Sequence, residues 1–146
     1  MIYLISKINI KYHKHNENIA MHASKLHDQD VFIPHKHNPF DIPHKELQLE
    51  VFLEDLNAMQ RSNIGIVSLP IGKDCSSELG WYSGNSKYVS ALIIGDEWFT
   101  AKEQFESLER DWMLKGFLSD VTTNDPEVFE MLKKDPILQQ KSVYIK

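Results

Sequence analysis

Asp74 and Glu78 stand four residues apart in the stretch Asp74-Cys75-Ser76-Ser77-Glu78-Leu79-Gly80-Trp81, directly behind the apolar run Ile64-Gly65-Ile66-Val67-Ser68-Leu69. A buried strand that empties into a short polar loop and then a helix brings such residues to the carboxyl edge of a sheet, where open α/β folds bind ligands. Two carboxyl groups there can divide the work of acid, base and nucleophile. The unpaired N–H groups and positive dipole end of a helix start favour the ionised form, so the spacing predicts a Glu78 carboxylate at neutral pH. A glutamate in that state can attack the anomeric carbon of a sugar, or stabilise an oxocarbenium-like transition state, when a second acidic group protonates the departing base. The same spacing also fits a plain helix start, with Asp74 or Ser76 as N-cap and Glu78 complementing the dipole in the first turn.

Other residue types with chemical potential compete with this pair. Seven histidines, His13, His15, His22, His27, His35, His37 and His44, fall in the first third of the chain. A step such as His35-Lys36-His37 can bring two imidazoles near one metal, yet no carboxylate or thiol stands at a diagnostic spacing to complete a known motif, and no metal is assigned. Some of these histidines instead suit the lining of a substrate pocket. Cys75 near a helix start has the setting of a nucleophile but no histidine base assigned to it. Ser76 and Ser77 are placed to hold a phosphate at the helix N-terminus, which decides between nucleoside and nucleotide. Gly-rich phosphate loops, the Gly-x-Ser-x-Gly elbow and the zinc-protease helix are absent.

Two further residues gain meaning only in combination. Asp55, in Glu54-Asp55-Leu56-Asn57-Ala58-Met59, and Tyr3, in Ile2-Tyr3-Leu4, read by themselves as a solvated helix residue and a core strand residue. With the Asp74 loop and Glu78-Leu79-Gly80-Trp81-Tyr82, followed by Gly84-Asn85-Ser86-Lys87-Tyr88-Val89, the pattern resembles the nucleoside 2-deoxyribosyltransferase family and its nucleotide N-hydrolase relatives. The resemblance spans Tyr3 to about Phe117. It implies that Glu78 is the nucleophile and Asp74 the loop aspartate. It also implies that Asp55 positions base or sugar, or shuttles a proton to the leaving nitrogen, and that Tyr3 lies near the nucleophile. Asp111-Trp112-Met113 is similar to a family segment, Asn-x-Met, that reaches a neighbouring subunit's pocket, which makes Asp111 and Met113 site candidates and implies a homo-oligomer with shared active sites. Here Asp111 replaces an asparagine, and an ionised carboxylate accepts hydrogen bonds but donates none. The loop between Asp74 and Glu78 is also shorter than in the family, with Cys75, Ser76 and Ser77 where glycines are usual. The implied reaction cleaves or transfers at the N-glycosidic bond of a (deoxy)nucleoside or its 5'-monophosphate and requires no metal or organic cofactor. A catalytically silent nucleotide-binding or regulatory protein on the same scaffold is the alternative.

The elements that must position these residues follow from periodicity. At 146 residues, 42% hydrophobic and 25% charged, the chain suits one domain over residues 1–146. A net charge of −5 disfavours a nucleic-acid polymer or an anionic membrane surface as partner. No apolar stretch is long enough to span a bilayer, and the start lacks the basic and apolar regions of a signal peptide. With Cys75 alone there is no internal disulfide, and a reducing cytoplasm is the expected location. Strands are expected at 2–5, 31–33, 64–69, 88–94 and about 116–122, and the tail from Ser142 to Ile145 either adds an edge strand or docks on a neighbour. Between them the spacing predicts a helix over 16–27 with Ile19, Ala23 and Leu26 on one side, and a loop rich in Pro and His to about Pro43. A helix from about His44 to Ser62 carries Leu49, Phe52, Leu53, Leu56 and Met59 on one face, with Asp55 beside it, and further helices follow over 76–86 and 100–110. Asp125-Pro126 reads as N-cap and first residue of a last helix. Right-handed crossovers assemble these into a three-layer, flavodoxin-like (Rossmann-like) α/β sandwich with a five-stranded, mostly parallel sheet.

Overall fold

The computed structural model describes residues 1–38 and 45–146. Its strands are β1 (Ile2–Ile5), β2 (Val31–Phe32), β3 (Ile64–Val67), β4 (Tyr88–Ile93), β5 (Asp120–Thr123) and β6 (Ser142–Tyr144). They form one open parallel sheet in the order β2-β1-β3-β4-β5-β6. The helices are α1 (His13–His27), α2 (Pro34–His37), α3 (Gln48–Arg61), α4 (Lys73–Gly84), α5 (Ala101–Glu109), α6 (Trp112–Phe117) and α7 (Pro126–Lys133). The expected α/β sandwich is therefore present, with six strands where five were counted. The sixth is the tail, which pairs in parallel with β5 and sets Thr122 opposite Val143.

Alternation along the strands divides the core in two. Tyr3, Ile5, Val67, Val89, Ala91, Ile93 and Val121 face α3, α4, α5 and α7, while Ile2, Leu4, Ile66 and Leu92 face Ile19, Ala20 and Ala23 of α1. The chain runs from β1 to β2 in one direction across the sheet and from β3 onwards in the other. The switch of direction falls between β1 and β3, whose carboxyl ends are the place where sheets of this kind receive ligands.

Several elements depart from expectation for identifiable reasons. Pro34, with its fixed φ, opens the single turn α2 where a loop was expected; residues 39–44, the remainder of that loop after Asn38 and the expected helix start at His44, lie outside the described residues. The segment expected to begin the fifth strand is instead the short helix α6, capped by the Asp111 side chain on the Leu114 N–H at 3.0 Å, so Gly116 is helical and β5 starts at Asp120. Along α1, Ile19 and Ala23 are fully buried but Leu26 is 44% exposed in the last turn. The amphipathic face of α3 is only partly used: burial is confined to Ala58 and Met59, while Leu49, Phe52 and Leu53 are 67%, 58% and 52% exposed. Trp112 and Phe117, large aromatics of the kind that usually pack, are exposed as well.

Candidate active site

Glu78 is placed by the register of α4. The extended residue Gly72 precedes the helix without a side-chain cap, and the Lys7 side chain packs against it, where a Cβ would lie 3.3 Å from the Lys7 methylenes. The helix thus starts at Lys73, three residues before the expected Ser76. Neither Asp74 nor Ser76 is its N-cap, and Glu78 lies in the second turn. Cys75, Leu79 and Tyr82 form the buried stripe, and Glu78 sits on its flank, turned to Tyr3 of β1. Close packing makes this approach possible: a Cβ at Gly65 of β3 would come within 3.1 Å of the Tyr82 ring, whose hydroxyl meets Ser62 Oγ at 2.5 Å.

There the Tyr3 hydroxyl donates a short hydrogen bond to Glu78 Oε2. Tyr3 is fully buried, stacked on Phe32 at 5.5 Å and tilted against Tyr82 at 6.3 Å. Glu78 keeps part of its surface in solvent while protein surrounds its carboxyl. Burial raises its pKa to about 8, the Tyr3 hydrogen bond opposes that rise, and the charges of Asp55 and Asp74 add to it. The expectation of a dipole-stabilised carboxylate is thereby overturned, because a second-turn position gains little from the dipole and loses much by desolvation. Asp55, on the flank of α3, is raised to about 7 by burial and by neighbouring Glu54. As pH rises Asp55 ionises first, so its charge is felt in the later titration of Glu78. The same burial, with Glu78 beside it, holds the Tyr3 phenol far above its usual range.

The structure brings Tyr3 and Glu78 into contact, with Asp55 near enough to act on both by charge, and places the other candidates elsewhere. Asp74 is exposed, close enough to repel Glu78 by charge. Ser76 and Ser77 are exposed on α4 and their hydroxyls donate back to the carbonyls of Gly72 and Lys73, at 3.2 and 3.3 Å. Asp111 accepts from Leu114 as a helix cap, and Met113 is exposed beside it. Cys75 is buried, and burial pushes its thiol up to about 12, which removes it as a nucleophile at neutral pH.

Spacing did not reveal the contacts that fix the neighbouring elements. His37 stacks on Phe32 at 4.1 Å and meets Glu54 at 3.1 Å, which ties α2 to α3 across the ring of Phe32. On the other side, His15 Nδ1 meets Asp96 Oδ2 at 2.5 Å and its Nε2 meets the Leu69 carbonyl oxygen at 2.8 Å, fastening the loop after β3 to α1 and to the loop after β4. Asp96 is held below the usual carboxylate range against its burial by His15 and by the N–H groups of Phe99 and Trp98. At the far end of α3, Lys87 Nζ donates to the carbonyls of Met59, Gln60 and Ser62 at 2.7 to 3.0 Å. Among the described residues no group of three or more His, Cys, Asp and Glu side chains converges as a metal site. Two open concavities of about 380 and 370 Å³ lie at the amino ends of strands, around Met1 and Asp28 and around Lys87 and Phe117; neither holds Tyr3, Asp55 or Glu78.

Among the described residues no helix is long and apolar enough to cross a membrane. No protein-family model matches the chain, and no curated protein matches it.

Proposed function

We propose that the chain cleaves or transfers at the N-glycosidic bond of a (deoxy)nucleoside or nucleoside 5'-monophosphate, with Glu78 as nucleophile. The observation that carries this reading is the buried Tyr3 hydroxyl bound to the Glu78 carboxyl, within the field of a second carboxyl, Asp55, with a different proton affinity. A phenol that donates to one oxygen orients the carboxyl and tempers its basicity, while the other oxygen is left to form a bond. The resemblance of these residues, in their order along the chain, to the nucleoside 2-deoxyribosyltransferase family supports the same reading.

In this mechanism the reactive form is the minor one in which Asp55 keeps its proton and Glu78 has lost its own, and the Glu78 oxygen bonds to C1' as the C1'–N bond breaks. The electron pair goes to the base nitrogen, which takes a proton from Asp55, a group whose pKa of about 7 suits an acid at neutral pH. A second base or water then gives its proton to Asp55 and takes the glycosyl group, releasing Glu78. Asp74, exposed as it is, contributes charge and not proton transfer. No metal or organic cofactor enters these steps. The exposed apolar residues of α3 and α6 support a homo-oligomer, and the lone Cys75 a reducing cytoplasm.

A second reading, nucleotide binding without turnover, is favoured by the raised Glu78 pKa, which leaves most molecules protonated at pH 7, and by the use of Asp111 as a helix cap. One experiment decides. Purified protein is incubated with a panel of (deoxy)nucleosides and their 5'-monophosphates, and free base or base exchange is followed by chromatography. Turnover that falls about 10³-fold or more in Glu78→Gln supports the glycosidic reading. Saturable binding with no turnover, unchanged in Glu78→Gln, supports the other.

A further inference from the structure

His15 is closed off from solvent, 1% exposed, and both nitrogens of its ring meet acceptors. Nδ1 lies 2.5 Å from Asp96 Oδ2, and Nε2 lies 2.8 Å from the Leu69 carbonyl oxygen. A carbonyl oxygen can only accept, so Nε2 carries a hydrogen. Burial acts to raise the Asp96 pKa, but the His15 hydrogen bond and the N–H groups of Phe99 and Trp98 outweigh it and hold the group below the usual carboxylate range. Asp96 is thus ionised at neutral pH and has no hydrogen to give. Its oxygens accept throughout: Oδ2 also takes the Asn18 amide at 3.1 Å, and Oδ1 takes the N–H groups of Trp98 and Phe99 at 3.0 and 2.8 Å. A neutral imidazole has one N–H, and two acceptors require two. The ring is therefore an imidazolium whose charge is matched by Asp96, the pairing that makes a buried charge tolerable.

What the ring joins gives its proton a consequence. His15 stands in the first turn of α1, Leu69 in the segment between β3 and α4, and Asp96 in the loop after β4. The next residue, Asn16, is 2% exposed and holds the same edge without any charge: its amide donates to the Lys7 carbonyl at 2.7 Å and accepts from Ser68 Oγ at 3.0 Å. Among the described residues Asp96 is the charged group set against the His15 ring, and its other neighbours, Leu69 and the edge-on Phe99 at 5.0 Å, are neutral. Two cations of this edge, Lys7 and Lys11, gather on Tyr12, which stacks on Phe99. When the ring loses a proton, one nitrogen turns a lone pair on an acceptor and that contact becomes repulsive. The bond to the ionised carboxylate is the stronger of the two, so it is kept and the Leu69 carbonyl is let go. Only Pro70, Ile71 and Gly72 separate Leu69 from α4, so the freed segment is the one that leads into the helix carrying Glu78.

We propose that His15 is a proton-operated latch on the carboxyl edge of the sheet, closed while both ring nitrogens carry hydrogen and opened at the Leu69 carbonyl when one hydrogen is lost. The latch goes beyond the N-glycosidic reading and holds whether or not Glu78 turns over a nucleoside. The test is NMR of the wild-type chain from pH 6 to 10, with ¹⁵N in the histidine rings and ¹³C in the leucine carbonyls. At pH 7 both His15 nitrogens carry hydrogen. As pH rises Nε2 loses its hydrogen, Nδ1 keeps its own, and the Leu69 carbonyl resonance moves in step. A lone pair on either nitrogen at pH 7, a ring that keeps both hydrogens to pH 10, or a Leu69 resonance that ignores the change overturns the proposal. In Asp96→Asn the new amide can donate to Nδ1, so a neutral ring satisfies both contacts: Nε2 keeps its hydrogen on Leu69, and the step in the Leu69 resonance is lost. A ring still doubly protonated at pH 7 in that variant overturns the proposal as well. Should Asp96→Asn misfold, the wild-type titration decides alone. Glu78→Gln, which removes a carboxyl that titrates in the same range, leaves the His15 titration in place; its loss there assigns the effect to Glu78 and overturns the latch.

Discussion

Removing one oxygen atom, by Tyr3→Phe, isolates what the phenol does to Glu78. The ring itself is fully buried and stacked on Phe32, so packing is retained and the O–H donated to the carboxyl is what disappears. Burial raises Glu78 to about 8 and the Tyr3 hydrogen bond is the influence that opposes it, so the variant holds the Glu78 proton more tightly still. A hydrogen bond to an ionised group is worth ~1.5–3 kcal/mol and one pKa unit corresponds to ~1.4 kcal/mol, which makes the upward displacement about 1–2 units. At pH 7 a carboxyl with a pKa of about 8 is ionised in roughly one molecule in ten, and after a further unit in roughly one in a hundred. If ionised Glu78 is the nucleophile, kcat/KM at pH 7 falls about tenfold to a hundredfold, and at pH 10 it recovers to within a few-fold of wild type. The assay is a pH profile of kcat/KM for base release from pH 6 to 10, with the Glu78 carboxyl followed in parallel by ¹³C NMR. A loss of equal size across the whole range, or an unmoved Glu78 titration, would refute the reasoning.

Two other outcomes follow from the same structure. Asp55 and Glu78 have folded-state pKa values, about 7 and about 8, above their ordinary values of 3.8 and 4.5, so the folded chain binds their protons more tightly than the unfolded one. The stability this contributes is complete below about pH 4 and is lost as pH rises through about 7 and then about 8. Glu78→Gln and Asp55→Asn, which cannot ionise, should each melt about 3 °C or more above wild type at pH 9 but not at pH 4, as followed by circular dichroism; equal Tm differences at both pH values would contradict the burial argument. For assembly, the exposed Leu49 and Phe52 of α3 are expected to lie in a contact between copies, so light scattering should show an oligomer for wild type and a monomer for Leu49→Lys/Phe52→Lys. A wild-type monomer at micromolar concentration would end that expectation.

What could be read from the chain divides along physical lines. The strands β1 and β3 are short apolar runs covered on both faces, β4 is one save for Ser90 and its exposed first residue Tyr88, and a local pattern suffices to find them. The cap Asp125 with Pro126 behind it is equally local, and its side chain accepts from Val128 as expected. The start of α4 was misplaced because Asp74 and Ser76 are good cap residues, while the true cap, Gly72, is selected by the approach of Lys7 from β1's end. Glu78 and Tyr3 were legible only as a pattern over the whole chain, since 75 residues separate them. The pairing of His15 with Asp96 spans 81 residues and left no local trace. The proton affinity of Glu78 could not be foreseen at all, because it is set by desolvation, a property of the finished packing.

The grip of Lys87 on the last carbonyls of α3 has a mechanical consequence. It pins one end of the helix that carries Asp55 to the start of β4, and the contact of His37 with Glu54 holds the same helix one residue before that carboxyl. Asp55 is thus tethered from two elements outside its own helix, β4 and α2.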